Sequence, residues 1–342
     1  GLKALYNQAK VSIKITPVSP FLIKTGETLD PTKPDMEFVR LKTPFGETIY
    51  IPGSSLKGVV RSCAEKLLRT LNLDVCNILE EKEGEKSCVA YYRDYLRKPE
   101  NYTAPKHLLT FKKFAETYKN KMPDELPEKL PYWGHCYVCR TFGSTNLASR
   151  IFFNDAFPWE TDAGEEIKKE SIRKIEEFLQ TRPGIAIDRR KGSVKAGPFD
   201  LEILCGGSFF TEIILKNYQL WQMGLLFLVF EEINSGFQKI GYGKTRGLGT
   251  VKIGTLKIEI DQFGDLKDFN KIRGIGKVTD LVKPYDLIAE DELAIEGINS
   301  EDRLFFARFE IKEDMAAKAI NNFITSESFK SLLLRSKNEG EN

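Results

Sequence analysis

Ile51-Pro-Gly-Ser-Ser-Leu-Lys-Gly-Val-Val-Arg-Ser-Cys-Ala-Glu-Lys-Leu-Leu-Arg-Thr-Leu71 is the stretch that decides the fold, because it joins a strand, a glycine turn and an amphipathic helix without a break. Ile49, Tyr50 and Ile51 are strand formers, and Pro52-Gly53 is turn chemistry. Ser54 or Ser55 is placed to cap the helix by accepting one of its orphan N–H groups. Beyond them Leu56, Val59, Val60, Cys63, Leu67, Leu68 and Leu71 fall at i, i+3, i+4, i+7, i+11, i+12 and i+15, a single apolar stripe. Lys57 and Arg61 lie four apart in the first turns, beside N–H groups that favour an anion. The start of this helix therefore reads either as a solvated basic face or as a phosphate seat.

Outward from this stretch, residues 11–16 alternate apolar and polar, a half-buried strand ending at Pro17, and residues 21–23 continue the sheet. Residues 24–48, with Gly26, Pro31, Pro34, Pro44 and Gly46, read as a long loop. Downstream, acidic residues 74–86 open an insertion, residues 90–130 are helix-like but interrupted by prolines, and residues 150–155 return to strand character. Residues 165–179 read as a solvent-facing helix. Residues 181–200 form a basic projecting hairpin or loop, in which Arg182, Arg189, Arg190, Lys191 and Lys195 face only Asp188 before the closing Phe199-Asp200. Strands at 201–204 and 209–215, an apolar helix at 218–233, a glycine loop at 239–252 and a strand at 250–260 complete the core. This order fits an α+β sandwich with helices over an antiparallel sheet, most simply ferredoxin-like. The charged tail contains a helix-like stretch at 314–323.

The 342 residues are 41 % hydrophobic, ample for a buried core, and 51 Lys plus Arg against 49 Asp plus Glu give a formal charge of +2. Any basic footprint is therefore local. No apolar run approaches the length of about eighteen residues that a membrane span needs, so no membrane partner is expected. The polar start GLKALYNQAKVS lacks an apolar signal segment, Gly1 in place of Met reads as a trimmed start, and six irregularly spaced cysteines suit a reducing cytoplasm.

Gly243-Lys244-Thr245 matches the end of a Walker A motif, but position 238, where the first glycine belongs, is Gln238, and a helix precedes where a strand should. What the loop offers is flexible backbone beside Lys244 and Arg246, a cradle for a polynucleotide backbone. Cys136-x-x-Cys139 has the spacing of a zinc knuckle. The insertion reads as poor in apolar material, so structural zinc held by Cys88, Cys136 and Cys139, with a fourth ligand from His135, Cys76 or His107, would supply folding energy. Cys63 and Cys205 read as core. With two histidines, both in the insertion, and no GxSxG, nucleophilic catalysis of Ser–His or Cys–His type is not expected. Asp30 and Asp35, in the long loop, remain as lone acids able to meet a ligand.

Four stretches together resemble the RAMP superfamily of CRISPR-associated proteins, in particular the crRNA-binding backbone subunits of type III effector complexes. They are the PGSSLKG segment with its arginine-bearing helix, His135-Cys-Tyr-Val-Cys-Arg-Thr-Phe-Gly143 running into Ala148-Ser-Arg-Ile-Phe-Phe-Asn-Asp155, Gly184-Ile-Ala-Ile-Asp-Arg-Arg190, and Gly241-Tyr-Gly-Lys-Thr-Arg-Gly-Leu-Gly249. The resemblance spans residues 10–258 and implies an RRM-like core over residues 1–258, with a zinc-binding insertion at 73–148, a thumb at 181–200 and a C-terminal extension at 259–342. It implies crRNA and target RNA as partners, beside other type III subunits and further copies of related backbone subunits. RNA contacts are expected from Ser54, Ser55, Lys57, Arg61, Arg182, Arg189, Arg190, Lys191, Lys244 and Arg246. Asp35, with Asp30 as the alternative, takes the position of the acid that supports Mg- or Mn-dependent endoribonuclease cleavage of target RNA through the ribose 2′-OH. A non-catalytic scaffold of the same fold and a precursor-processing endoribonuclease are the alternatives.

Overall fold

The computed structural model describes residues 3–24, 34–78, 86–99, 102–119, 121–187 and 194–338. Strand β1 (Asn7–Pro17) sets the frame: Asn7, Ala9, Val11, Ile13 and Ile15 are buried, and the residues between them are only partly covered, the alternation of a strand packed on one face. The segment read as loop over residues 24–48 contains a short ladder, β2 (Arg40–Thr43) with β3 (Gly46–Ile49), because Thr43 and Gly46 close a tight turn around Pro44-Phe45.

Helix α1 (Gly53–Thr70) buries Leu56, Val60, Cys63, Ala64 and Leu68, as its apolar stripe demands. Its cap differs from expectation. Neither serine caps it; the N-cap is Pro52, and the Gly53 N–H donates to Asp155 Oδ1 at 2.7 Å. A Cβ on Gly53 would lie 2.3 Å from the Phe153 carbonyl oxygen, so only glycine lets the helix start so close to the next core strand.

The insertion holds α2 (Cys88–Arg97), α3 (Leu109–Thr117) and α4 (Tyr137–Phe142). It is richer in apolar contact than its sequence suggested. Phe114 packs against Tyr92 and Tyr95 with ring centroids 5.5 Å away, Phe111 at 5.6 Å, Tyr118 at 4.9 Å and Trp133 at 5.7 Å, an aromatic cluster continuous with the main core.

The chain then runs through β4 (Ile151–Phe153), α5 (Glu165–Glu176), β5 (Leu179–Ile187), β6 (Val194–Leu204), β7 (Phe209–Lys216), α6 (Leu220–Asn234) and β8 (Val251–Phe263). In α5 only Ile175 is buried, and β5 and β6 form an antiparallel hairpin over the expected thumb. After β8 come β9 (Ile272–Arg273), α7 (Thr279–Tyr285), β10 (Glu292–Leu293), β11 (Asn299–Arg303), β12 (Phe306–Lys312), α8 (Glu313–Ile324) and α9 (Glu327–Asn338).

Six strands make the main sheet in the order β11-β12-β8-β1-β7-β4, with every neighbour antiparallel. The inner order β8-β1-β7-β4, with α1 before β4 and α6 before β8, is compatible with a ferredoxin-like fold. The sheet continues across residue 258, because β8 is unbroken there and β12 pairs along it. Helix α6 is apolar on all sides since α8 and α9 cover it: Phe227 and Phe323 rings lie 5.6 Å apart, and a Cβ on Gly224 would meet the Phe323 carbonyl oxygen at 2.7 Å. Among the described residues no helix is long and apolar enough to cross a membrane.

Candidate metal centre and nucleic-acid interface

Cys136 is the N-cap of α4, and its sulfur accepts the Cys139 N–H at 3.5 Å, so the C-x-x-C spacing places both thiols at one helix start. Cys88, at the start of α2, accepts the Cys136 N–H at 3.3 Å, and Cys76 Sγ lies 3.6 Å from Cys139 Sγ. All four sulfurs are buried and lie within 4.8 Å of one another. Tetrahedral thiolate coordination at about 2.3 Å needs sulfurs roughly 3.8 Å apart, so these residues fit a structural zinc ion. Burial opposes ionisation of Cys136, but hydrogen bonds from the Cys139, Cys76 and Cys88 thiols hold it well below the usual thiol value. The same sharing pushes Cys88 and Cys139 up. A divalent cation bound there would take the place of the thiol protons.

The fourth sulfur is thus Cys76, and His135 stands outside the group. His135 is buried with Nδ1 3.0 Å from the Pro131 carbonyl and Nε2 3.4 Å from Ser144 Oγ, and burial lowers its pKa, so the ring is neutral and occupied at both nitrogens. His107 is exposed beside the Tyr91 ring. Sequence adjacency to Cys136 made His135 attractive, but the first turn of α4 directs the neighbouring residue elsewhere. Cys63 is buried in the α1 stripe, and Cys205 is partly buried just after β6.

The basic residues of α1 divide between two surroundings. Lys57 Nζ lies 3.3 Å from Ser149 Oγ, and its pKa is lowered by burial and then by Arg61. Arg61 turns to the cysteine cluster: it donates to the Gly143 carbonyl at 3.1 Å and to Cys139 Sγ at 3.8 Å, and pairs with Glu65 at 3.0 Å. Ser54 is exposed and Ser55 partly so. Lys66, nine residues from Lys57 and so about half a turn around the helix, faces the glycine loop instead. There burial and then Lys66 lower the Lys244 pKa, which brings two like charges together.

The loop itself depends on glycine. Gly241 has φ +76°, and a Cβ there would meet the Leu22 carbonyl oxygen at 2.3 Å; Gly249 has φ +92°, with the Ile240 carbonyl oxygen at 2.2 Å. Tyr242 donates its N–H to Leu22 at 2.7 Å, while Lys24 and Arg246 sit 5.1 and 5.0 Å from its ring centroid. Among the described residues no carboxylate pairs with Lys24, Lys66, Lys244 or Arg246. Lys24, Lys66 and Tyr242 are therefore additions to the basic set read from the sequence; the only signal for them was the density of bases around the loop.

The open face of the sheet contrasts with this in part. Lys10 pairs with Glu212 and Glu259 at 3.5 and 2.9 Å, Lys257 with Glu259 and Glu310 at 3.2 Å each, and Arg308 with Asp261 at 2.6 Å. These three cations are paired, whereas Lys14, Lys216 and Lys312 on the same face have no carboxylate partner among the described residues, Lys14 and Lys216 lying instead 5.8 Å from the Phe210 and Phe152 ring centroids.

Asp35 is exposed, and its Oδ2 accepts the Asp200 N–H at 2.8 Å, midway along the β5–β6 hairpin. The same strand is tied down by Glu202, which accepts from the Phe38 N–H at 2.8 Å and from both Arg40 terminal nitrogens at 2.7 and 2.9 Å. Arg182 is exposed on β5, close enough to Cys205 to act on its thiol. Asp30, Arg189, Arg190 and Lys191 lie outside the described residues.

The chain thus combines an antiparallel sheet backed by helices, a cysteine-clustered insertion, a hairpin and a glycine loop with cations around it. The profile of the RAMP superfamily matches residues 14–252, and the chain belongs to that family. No curated protein matches it closely.

Proposed function

We propose that this chain is a crRNA-binding backbone subunit of a type III CRISPR effector complex, with an RRM-like core over residues 1–258 and residues 259–342 as its buttress. The observation that carries the RNA-binding part is the positive charge of Lys24, Lys66, Lys244 and Arg246 around a glycine loop, with no carboxylate partner among the described residues, on a chain of the RAMP superfamily. RNA is bound through its phosphates around this loop, with the exposed Arg182 of β5 as a further cation. Target RNA, other complex subunits and related backbone copies are the partners this role requires.

Asp35, beside the middle of the hairpin, is the acid we assign to target cleavage. A Mg or Mn ion held there would supply charge neutralisation to the phosphate. The attacking 2′-oxygen forms a bond to phosphorus as the P–O5′ bond breaks; its proton leaves to a base and the 5′-oxygen gains one, giving a 2′,3′-cyclic phosphate and a 5′-hydroxyl. One observation favours the scaffold alternative: an Asp35 oxygen is already engaged by the Asp200 N–H, a role that anchors the hairpin without chemistry. Asp35→Ala in the assembled complex separates the two. Loss of cyclic-phosphate products with crRNA retained supports cleavage by Asp35; cleavage that persists at every site leaves the scaffold.

A further inference from the structure

Arg61 stands where sequence reasoning saw an RNA contact, yet its side chain is only 15 % exposed and its donors are spent inside the protein. One terminal nitrogen reaches Cys139 Sγ at 3.8 Å, the other holds the Gly143 carbonyl at 3.1 Å, and Nε pairs with Glu65 at 3.0 Å. Cys139 and Gly143 bracket the last turn of α4, so one guanidinium grips both the metal-binding thiol and the end of its helix.

A divalent ion on four thiolates carries a net charge of two minus, because four sulfur charges exceed two on the metal. Such a charge in a buried site is costly unless donors face the sulfurs. Backbone N–H groups reach Cys88 and Cys136, but the sulfurs of Cys76 and Cys139 lie together on the side that Arg61 approaches. Glu65 sets the direction of the fork from one helical turn further along α1.

We propose that Arg61 is a positioning residue of the metal centre, an outer donor to the Cys139 thiolate that joins α1 to the cysteine cluster, and not an RNA ligand. The inference rests on the metal reading of the four cysteines. Through it, metal bound by the insertion also fixes the α1 edge that carries Lys57, four residues before Arg61.

The test uses the zinc-loaded full-length chain, with zinc release to a chelating dye and the thiolate-to-metal absorption of the cobalt-substituted protein as readouts. Arg61→Met is expected to weaken zinc binding by about 10–100-fold and to shift the cobalt band, and Arg61→Lys to lose less. If Arg61→Met does not fold, Arg61→Lys carries the test, since a measurable loss supports the role and none overturns it. Unchanged metal affinity and spectrum in a folded Arg61→Met, with RNA affinity reduced, would return Arg61 to the RNA surface. A wild-type chain that takes up neither zinc nor cobalt removes the metal reading itself, an outcome distinct from the failure of Arg61 alone.

Discussion

The buried carboxylate of Asp291 accepts the Leu220 N–H at 2.8 Å across 71 residues of sequence, so the C-terminal extension supplies an acceptor to the first turn of α6, beside its Gln219–Gln222 capping box. The same carboxylate accepts from Ser328 Oγ at 2.7 Å and the Gly276 N–H at 2.9 Å, gathering four segments on one side chain.

Asp291→Ala should therefore destabilise the whole chain rather than the extension alone, by about 3 kcal/mol, since several buried donors lose their acceptor together. Chemical denaturation followed by fluorescence measures this as one cooperative loss. Burial pushes the Asp291 carboxyl up to about 6, against the hydrogen bonds that oppose it. A folded pKa above the unfolded value means its stabilisation is complete below about 4 and lost as pH rises through about 6. The wild type should show falling stability across that window, and Asp291→Asn a flatter profile; equal slopes would contradict the assignment.

The cysteine geometry predicts one zinc per chain. Cys76→Ser, Cys88→Ser, Cys136→Ser and Cys139→Ser should each abolish stoichiometric zinc measured by plasma emission, whereas His135→Asn should keep it. Zinc removal should lower the thermal midpoint without dispersing the insertion's aromatic cluster, because Phe114 and its ring neighbours also pack against one another. Retention of near-ultraviolet aromatic ellipticity after chelation is the check.

Lys66→Ala and Lys244→Ala should each reduce affinity for single-stranded RNA and flatten the slope of log affinity against log salt by about 0.7, the loss of one phosphate contact. Lys257→Ala, where the lysine is already paired with Glu259 and Glu310 on the sheet face, should leave both quantities unchanged. A larger effect from Lys257 than from Lys244 would move the RNA path onto the sheet.

Periodicity made the fold legible: the α1 stripe, the alternation of β1 and the uniformly apolar α6 each follow from local sequence, and so do the cysteine pair of α4 and the glycine loop. What sequence spacing could not supply were partners brought from afar. Asp155 caps α1 from 102 residues away, Cys76 meets Cys139 from 63, and neither distance leaves a pattern. Serines at the expected cap positions suggested a local solution, but the close approach of Gly53 to β4 made Asp155 available instead. Lys57 and Arg61 looked like one anion seat because they are four residues apart; the helix turns both toward the insertion and leaves Lys66, on the opposite side, facing the loop.

The order of the main sheet has a further effect on how the protein meets its neighbours. Adding β11 and β12 beyond β8 moves that border of the sheet out to Asn-Ser-Glu-Asp-Arg, a short, polar and charged strand, and the other border is β4, only three residues long. Charged or very short border strands are poor templates for backbone pairing with another chain. Copies of this protein can then stand side by side at high local concentration without fusing into a continuous β-structure, and side-chain surfaces are left to decide which neighbours they accept.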